Sequence, residues 1–438
     1  MPVSAAARPA SSPRSGISSP ARSASPAPRR IPAHRNSQYL RYLSGATLSA
    51  LGDQFWYVAL SYAAVRTASP AAAGLVLSLS AIPRLLLVLF GGVIVDRCDV
   101  RKLMAGSDAL RTVVCLVAAV AVSAVPGLGF LAVVAVVFGI VDAVFLPASA
   151  ALRPRLLEPH QYSGGAVLAT LSGRLALLVG APLGGVVAAS AGLPTALLVD
   201  AASFAASMAA VLSVRPRPIS TDPAVEAAAS PATRAKEPFF RSFLAGLSYL
   251  RRHAVLGPFV LWTTLGNIGM VGPLNVGAAL LAARRGWGAP GIGLLLTGFG
   301  VGAAVGAVAM GKVRVRCGLG TWLAVAGAVQ GVAGAAMALV PSLGAAIGAA
   351  TAVGVLSSAM GVPATVLQQA ETKDEFRGRV QSVMTLLSLG IVPLTMALMG
   401  VAVSAAGLRT AFVLSGLVEV LGLVCLASQP FRAARVPR

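Results

Sequence analysis

The sequence predicts an all-α membrane protein, with twelve transmembrane helices in two six-helix halves related by a parallel pseudo-repeat. Three observations point there. Of 438 residues, 56% are hydrophobic and 11% charged, and the mean hydropathy of +0.81 lies far above that of a soluble domain. Apolar runs of about twenty residues recur, the length that a helix rising about 1.5 Å per residue needs to cross roughly 30 Å of hydrocarbon. A polar stretch divides those runs into two sets of six.

Residues 1–38 contain SSPRSGISSPARSASPAPRRIP, with few apolar side chains to offset the entropy of ordering, and are expected to form a disordered cytoplasmic tail. They lack the apolar core of a signal peptide, so no cleavage is expected. Residues 39–214 hold the first six runs, at about 41–65, 71–95, 103–124, 128–150, 166–190 and 194–213. RPRPISTDPAVEAAASPATRAKEP, residues 215–238, reads as a cytoplasmic linker. The second half, 239–428, opens with FFRSFLAGLSYLRRH. There Phe240, Phe243, Leu244, Leu247 and Leu250 share one side at helical spacing, which predicts a short helix lying in the membrane interface. Six further runs follow at about 255–282, 290–310, 320–340, 343–367, 380–405 and 408–428, then a cytoplasmic tail at 429–438. Leu51, Gly52 and Asp53 match Leu265, Gly266 and Asn267 at an offset of 214, and Pro147 and Ala148 match Pro363 and Ala364 at 216, which supports the repeat.

The net charge of +21 is distributed by topology. With the amino terminus taken as cytoplasmic, 28 of 35 Lys and Arg fall in cytoplasmic segments, four outside (Arg66, Arg284, Arg285, Arg409) and three within spans (Arg84, Arg111, Arg174). This is the positive-inside bias, and an even number of spans places both termini in the cytoplasm. Such a surplus touches anionic lipid heads, so membrane lipids are the expected partners and no nucleic acid is needed to explain it. Arg outnumbers Lys 31 to 4 and Ala and Gly abound, which fits a GC-rich bacterial genome. Cys98, Cys115, Cys317 and Cys425 show no CxxC spacing and read as free thiols. His34, His160 and His253 lie outside the spans, which leaves carboxylates for any proton handling at mid-membrane. No HExxH, no nucleophile with an imidazole, no phosphate-binding loop and no filter-like repeated loop is present, so neither an enzyme, an ATP-driven pump nor a channel is expected, and no metal or cofactor.

Asp53, Arg84, Asp108, Arg111, Asp142, Arg174, Asp200 and Glu419 fall inside spans, where each central charge costs roughly 2.5–3.5 kcal/mol on insertion scales and calls for a partner. Asp53 and Arg84 are symmetric about the Ser69-Pro70 turn, and Asp142 and Arg174 about residue 158, so each pair should share a depth. Crossed pairing, such as Asp53 with Arg174, is equally open. Asp108 and Arg111, three apart, suit a structural pair on one face. Asp200 suits helix packing or capping. Glu419 has no evident basic partner, and Asp53 and Asp142 are the candidates for a functional role.

Between spans two and three lies GGVIVDRCDVRK, where Gly suits a tight reversal and Asp96 can reach the positive end of a neighbouring helix. This loop resembles the signature G-x-x-x-D-R-x-x-R-[RK] of the major facilitator superfamily at Gly92, Asp96, Arg97, Arg101 and Lys102, with Asp99 where a Gly is common. Its second-half counterpart, GKVRVRCG, has Val315 in place of the carboxylate. LGDQ, AIPRLLL, LPASAALRPRL, LLVDAASFAASM and FRGRVQSV are similar to segments of the enterobactin exporter and macrolide efflux branch, over about Tyr39 to Ser428. LVGAPLGGVVA is similar to the G-P-x-x-G-G motif of drug/proton antiporters, but Pro182 precedes Gly184 and Gly185 by one residue too few. Gly180, Pro182, Gly184 and Gly185 thus offer a hinge or gate in helix five, or a kinked, closely packed helix.

The resemblance implies a monomeric secondary active transporter of the bacterial cytoplasmic membrane, a proton-coupled exporter of lipophilic drugs or natural products working by alternating access. The alternative is an importer or facilitator of a small metabolite. Asp53, Arg84, Asp142, Arg174 and Asn267 are then the expected proton and substrate cavity, and Gly92, Asp96, Arg97, Arg101 and Lys102 a cytoplasmic loop gate. Proton coupling is expected in the first half and mainly apolar substrate contacts in the second.

Overall fold

A computed structural model describes residues 31–124, 127–217, 239–312 and 318–427, with the side chains of 86–97, 123, 239–242, 312 and 374 outside the description. Most of the expected tail, the linker from residue 218, Val315 and Cys317 also lie outside it. Ordered structure begins before residue 38. Ala33–Arg35 forms a turn of 3-10 helix, and Asn36 caps the first long helix by accepting a hydrogen bond from the Tyr39 amide at 3.1 Å. Arg217, at the start of the expected linker, is likewise held, by an ion pair to Glu158 at 2.8 Å.

The chain then runs through α1 (Ser37–Thr67), α2 (Pro70–Arg97), α3 (Val100–Ala124), α4 (Leu128–Leu156), α5 (Tyr162–Ser190) and α6 (Gly192–Ser213). After the short α7 (Phe239–Arg252) come α8 (Leu256–Arg284), α9 (Gly288–Lys312), α10 (Leu319–Leu339), α11 (Leu343–Glu371), α12 (Arg377–Ala406) and α13 (Leu408–Gly422), the last ending in a 3-10 turn. No strand occurs among the described residues. Ten of these helices are long and apolar enough to cross a membrane, counted over the described residues. Several run past the apolar limits read from the sequence. α4, for example, continues to Leu156 through Arg153 and Arg155, because a helix keeps its backbone bonds in polar surroundings that hydropathy does not count.

Two segments add to the expectation. α7 sets part of its apolar side against the protein, and the Phe240 side chain lies outside the described residues. Phe243, Leu247 and Leu250 pack with Leu256, Val380 and Val383, while Leu244 remains exposed. Its end is fixed by His253, whose Nδ1 accepts from the amides of Val255 and Leu256 at 3.3 and 3.2 Å and so starts α8. α8 is not uniform either. Pro273 supplies no amide, and Pro273–Gly277 widens into a π-turn before α-helix resumes.

α1 packs on α5 and α6, α2 on α4, and α3 on α4 and α6. Within the second set, α8 packs on α12 and α13, α9 on α11, and α10 on α11 and α13. The two sets meet through α2 against α12 and α5 against α9. These meetings lie toward the end of the molecule that carries the α1–α2 turn. A Cβ on Gly74 would stand 3.0 Å from the Gly400 Cα, and one on Gly293 would reach the Ala181 carbonyl. The Ala71 amide donates to Ser404 Oγ at 3.0 Å, and the Tyr57 hydroxyl donates to Asn275 Oδ1 at 2.5 Å. Toward the opposite end, at Gly361 and Gly378, a Cβ would meet open space.

The α5–α9 contact is therefore backbone on backbone. Gly293→Val is expected to destabilise the protein by about 1–3 kcal/mol through overpacking. Gly361→Ala should leave the melting temperature in detergent unchanged, and equal melting of both variants would contradict this account of the interface.

Candidate functional site

Arg111 stands at the centre of the first set of helices, 2% exposed. One guanidinium nitrogen lies 2.5 Å from Asp142 Oδ1, and another lies 3.9 Å from Asp108 Oδ1 on the same helix. Its planar head sits over Phe145 at 4.4 Å and Phe204 at 5.0 Å, so aromatic faces supply the contact that water would otherwise give. The second oxygen of Asp142 accepts from Arg84 Nη2 at 3.4 Å. Asp53, partly accessible on α1, lies in the field of Asp142, Arg111, Arg84 and Asp108. Asp200 of α6 is fully buried. Its Oδ1 accepts from Ser203 Oγ at 3.3 Å and its Oδ2 from the Cys115 thiol at 3.8 Å. Gly52 makes room for it, since a Cβ there would reach Asp200 Oδ1 at 2.5 Å.

The expected depth pairing of Asp53 with Arg84 gives way to a chain that runs Arg84, Asp142, Arg111 and Asp108. The count from the turn fixes height but not rotation about the helix axis, and rotation turns Arg84 toward α4. Arg174 is exposed and forms no ion pair with any described residue. Equal height with Asp142 did not bring them together. Asp200 sits well inside α6, so it packs rather than caps.

The loop residues divide. Gly92 is within α2 rather than in a reversal, because that helix continues to Arg97, and the side chains of Asp96 and Arg97 lie outside the description. Asp99 Oδ1 accepts from the amides of Arg101 and Lys102 at 2.9 and 3.1 Å and so opens α3. Arg101 donates to the carbonyls of Val211 and Leu212, completing the end of α6, while Lys102 is exposed. In α5 the helix passes through Pro182 unbroken. Gly180 and Gly184 lie against Leu51, Gln54 and Phe55 of α1, and Gly185 against Ala289 and Pro290 beside α9, so three of the four motif positions serve close packing.

A cavity of about 880 Å³ lies largely in the second set of helices. Aromatic and methionine side chains line it, among them Phe259, Trp262, Phe299, Met270, Met360 and Met384. Asn267, Asn275, Gln330, Gln368 and Gln381 add amides, and Glu419 is the sole charged residue among the described lining. Gln368, half-buried, and Gln381, exposed, lie 3.4 Å apart and mark its mouth at the end of the molecule where α1 begins. Of the five expected cavity residues only Asn267 lies on this lining. Asn275 was not found by sequence reasoning. The π-turn presents it, with its Nδ2 donating to the Val271 carbonyl at 2.8 Å and its oxygen receiving the Tyr57 hydroxyl. A proline inside an apolar run was the available signal.

A multi-pass bundle of apolar helices with a ligand-sized cavity reached from one end is an architecture that membrane transporters use. The family model of the Major Facilitator Superfamily matches residues 42–277, more than half of the chain, and the protein belongs to that superfamily. No curated protein matches the chain in sequence. Solved structures share its fold. A point mutant of the nucleoside transporter NupG has a TM-score of 0.69 at 14% identity over 89% of this chain and 98% of that one. A bacterial homologue of the iron transporter ferroportin, in its inward-facing state, has a TM-score of 0.67 at 16% identity over 90% and 99%. The D-xylose–proton symporter has a TM-score of 0.65 at 13% identity over 92% and 100%. A small-molecule substrate follows from membership of the superfamily.

Removing Arg111 would strand Asp108 and leave Asp142 with Arg84 alone. Arg111→Ala is expected to cost about 3–5 kcal/mol, seen as loss of folded protein in detergent by size-exclusion chromatography. Arg174→Ala, at an exposed position, should keep wild-type yield.

Proposed function

We propose that the protein is a proton-coupled exporter of lipophilic drugs or natural products, working by alternating access across a bacterial cytoplasmic membrane. The observation that carries this reading is the separation of charge from cavity. Arg84 and Arg111 share a cluster with Asp53, Asp108, Asp142 and Asp200, so that cluster holds two more carboxylates than guanidiniums. In a medium that penalises uncompensated charge, proton uptake is the neutralising step. The second half holds a cavity whose thioether and aromatic lining suits apolar compounds of varied shape.

Twelve helices span the membrane on this reading, α1–α6 and α8–α13, in two halves. The correspondence of α1 on α6 with α8 on α13, and of α2 on α4 with α9 on α11, supports the pseudo-repeat. The positive-inside bias supports a cytoplasmic mouth for the cavity, which on this reading is open inward. α5, packed by its glycines between α1 and α9, is the helix along which the halves tilt. Arg101, bridging the start of α3 to the end of α6, holds the cytoplasmic loop of the first half as one piece. Protonation at Asp53 or Asp142 loosens the hold of Arg84 and Arg111, and the inward proton gradient then drives the substrate out.

Asp53→Asn is the test. In everted vesicles with an imposed pH gradient, wild type is expected to accumulate a lipophilic dye, and the variant to fold in the membrane but lose accumulation by at least about tenfold. Undiminished accumulation in Asp53→Asn would overturn the coupling role. Dye movement in the opposite sense would favour an importer.

A further inference from the structure

Glu419 is used by none of the machinery above. It sits on α13, remote from the acid and base cluster, with 3% of its surface exposed. Gly269 of α8 permits this placement, since a Cβ there would stand 2.9 Å from the Glu419 Cβ. Its Oε2 is buried without a hydrogen-bond partner, and among the described residues it forms no ion pair. Burial alone, with no charged neighbour, sets its electrostatic surroundings. Yet the residue lines the cavity, and the rest of the described lining is neutral.

A carboxylate oxygen in this setting lacks a donor, and the protein offers none. We propose that Glu419 is the cation-recognition residue of the cavity and that the compound bound there is a lipophilic amine carrying one positive charge. The inference rests on reading the cavity as the substrate site. The ammonium donates to the carboxylate of Glu419, which gives both groups a partner, and a charge-assisted hydrogen bond is among the stronger contacts a protein makes. Trp262 and Phe259, on the same lining, offer ring faces to the cation or its apolar body. The absence of any Lys or Arg from the described lining leaves an anionic compound without a partner, so selection acts on the sign of charge.

Trp262 supplies a readout inside the cavity. The full chain in detergent is titrated with 1-aminomethylpyrene, a protonated amine, and with its neutral N-acetyl derivative, energy transfer from tryptophan to pyrene being followed; Trp262→Phe identifies the cavity's share of the signal. Wild type is expected to bind the amine about tenfold or more tightly than the amide. Glu419→Gln should reduce amine affinity to that of the amide while leaving the amide unchanged, which also shows that the variant is folded. Glu419→Asp should keep the preference. Equal binding of both probes by wild type, or an amine preference that survives in Glu419→Gln, overturns the role of Glu419 and leaves the cavity reading standing. Binding of neither probe by wild type overturns both.

Discussion

Arg111 carries a charge that cannot be discharged by deprotonation, in a position where water does not reach. What it needs determines how the surrounding helices are placed. Asp142 must come from α4, Asp108 from its own helix, and ring faces from Phe145 of α4 and Phe204 of α6. Asp142 in turn engages Arg84 of α2, and Asp53 and Asp200 contribute to the field at Arg111 from α1 and α6. Five of six helices thus share one electrostatic centre. α5 contributes no described charge to it and is held instead by glycines, against α1 on one side and α9 on the other.

The second set of helices is organised on a different principle. Its close contacts are backbone packing at glycines: Gly302 on the Thr351 carbonyl, Gly354 on that of Phe299, Gly331 on that of Gly416. Such contacts constrain distance but not chemistry, and they leave the space between α8, α10, α11 and α12 to side chains that adapt. The π-turn in α8 adds an exception where it matters, because it turns Asn275 to Tyr57 of the other set. One half is therefore specified by charge and the other by shape.

This division explains what the sequence made legible. Helix order and approximate span limits follow from hydropathy alone, since a twenty-residue apolar run has few other uses. The Asp108 and Arg111 pair follows from spacing within one helix. Rotation between helices does not, so Arg84 meets Asp142 on α4, and Arg174 is exposed without a described ion pair. The glycines of α5 signalled a special helix, but whether they bend or pack depends on what lies opposite, here Gln54, Phe55 and Ala289. Glu419 was visible as a charge without a partner; only the position of the cavity gives that isolation a meaning.

The interface between the two sets bears on how such a molecule can alternate. Toward the end that carries the α1–α2 turn it comprises glycine contacts, a hydrophobic cluster that joins Phe55, Val58 and Ala181 to Ala279, Ala289 and Ile292, and the hydrogen bonds from Ala71 to Ser404 and from Tyr57 to Asn275, with no ion pair between the sets among the described residues. A hydrogen bond contributes about 1 kcal/mol net and apolar contacts are non-directional, so on the proposed reading comparable contacts at the other end can replace what is lost when this end opens. The charge cluster is costlier to break, at about 3–5 kcal/mol for one stranded partner, so on the proposed reading the first half moves as a body. Reversing a 1:99 population to 99:1 requires about 5.5 kcal/mol of differential binding. On the proposed reading, neutralising one carboxylate beside Arg111 works on that scale, and an interface of apolar and glycine contacts is what allows so local an event to tilt two bundles.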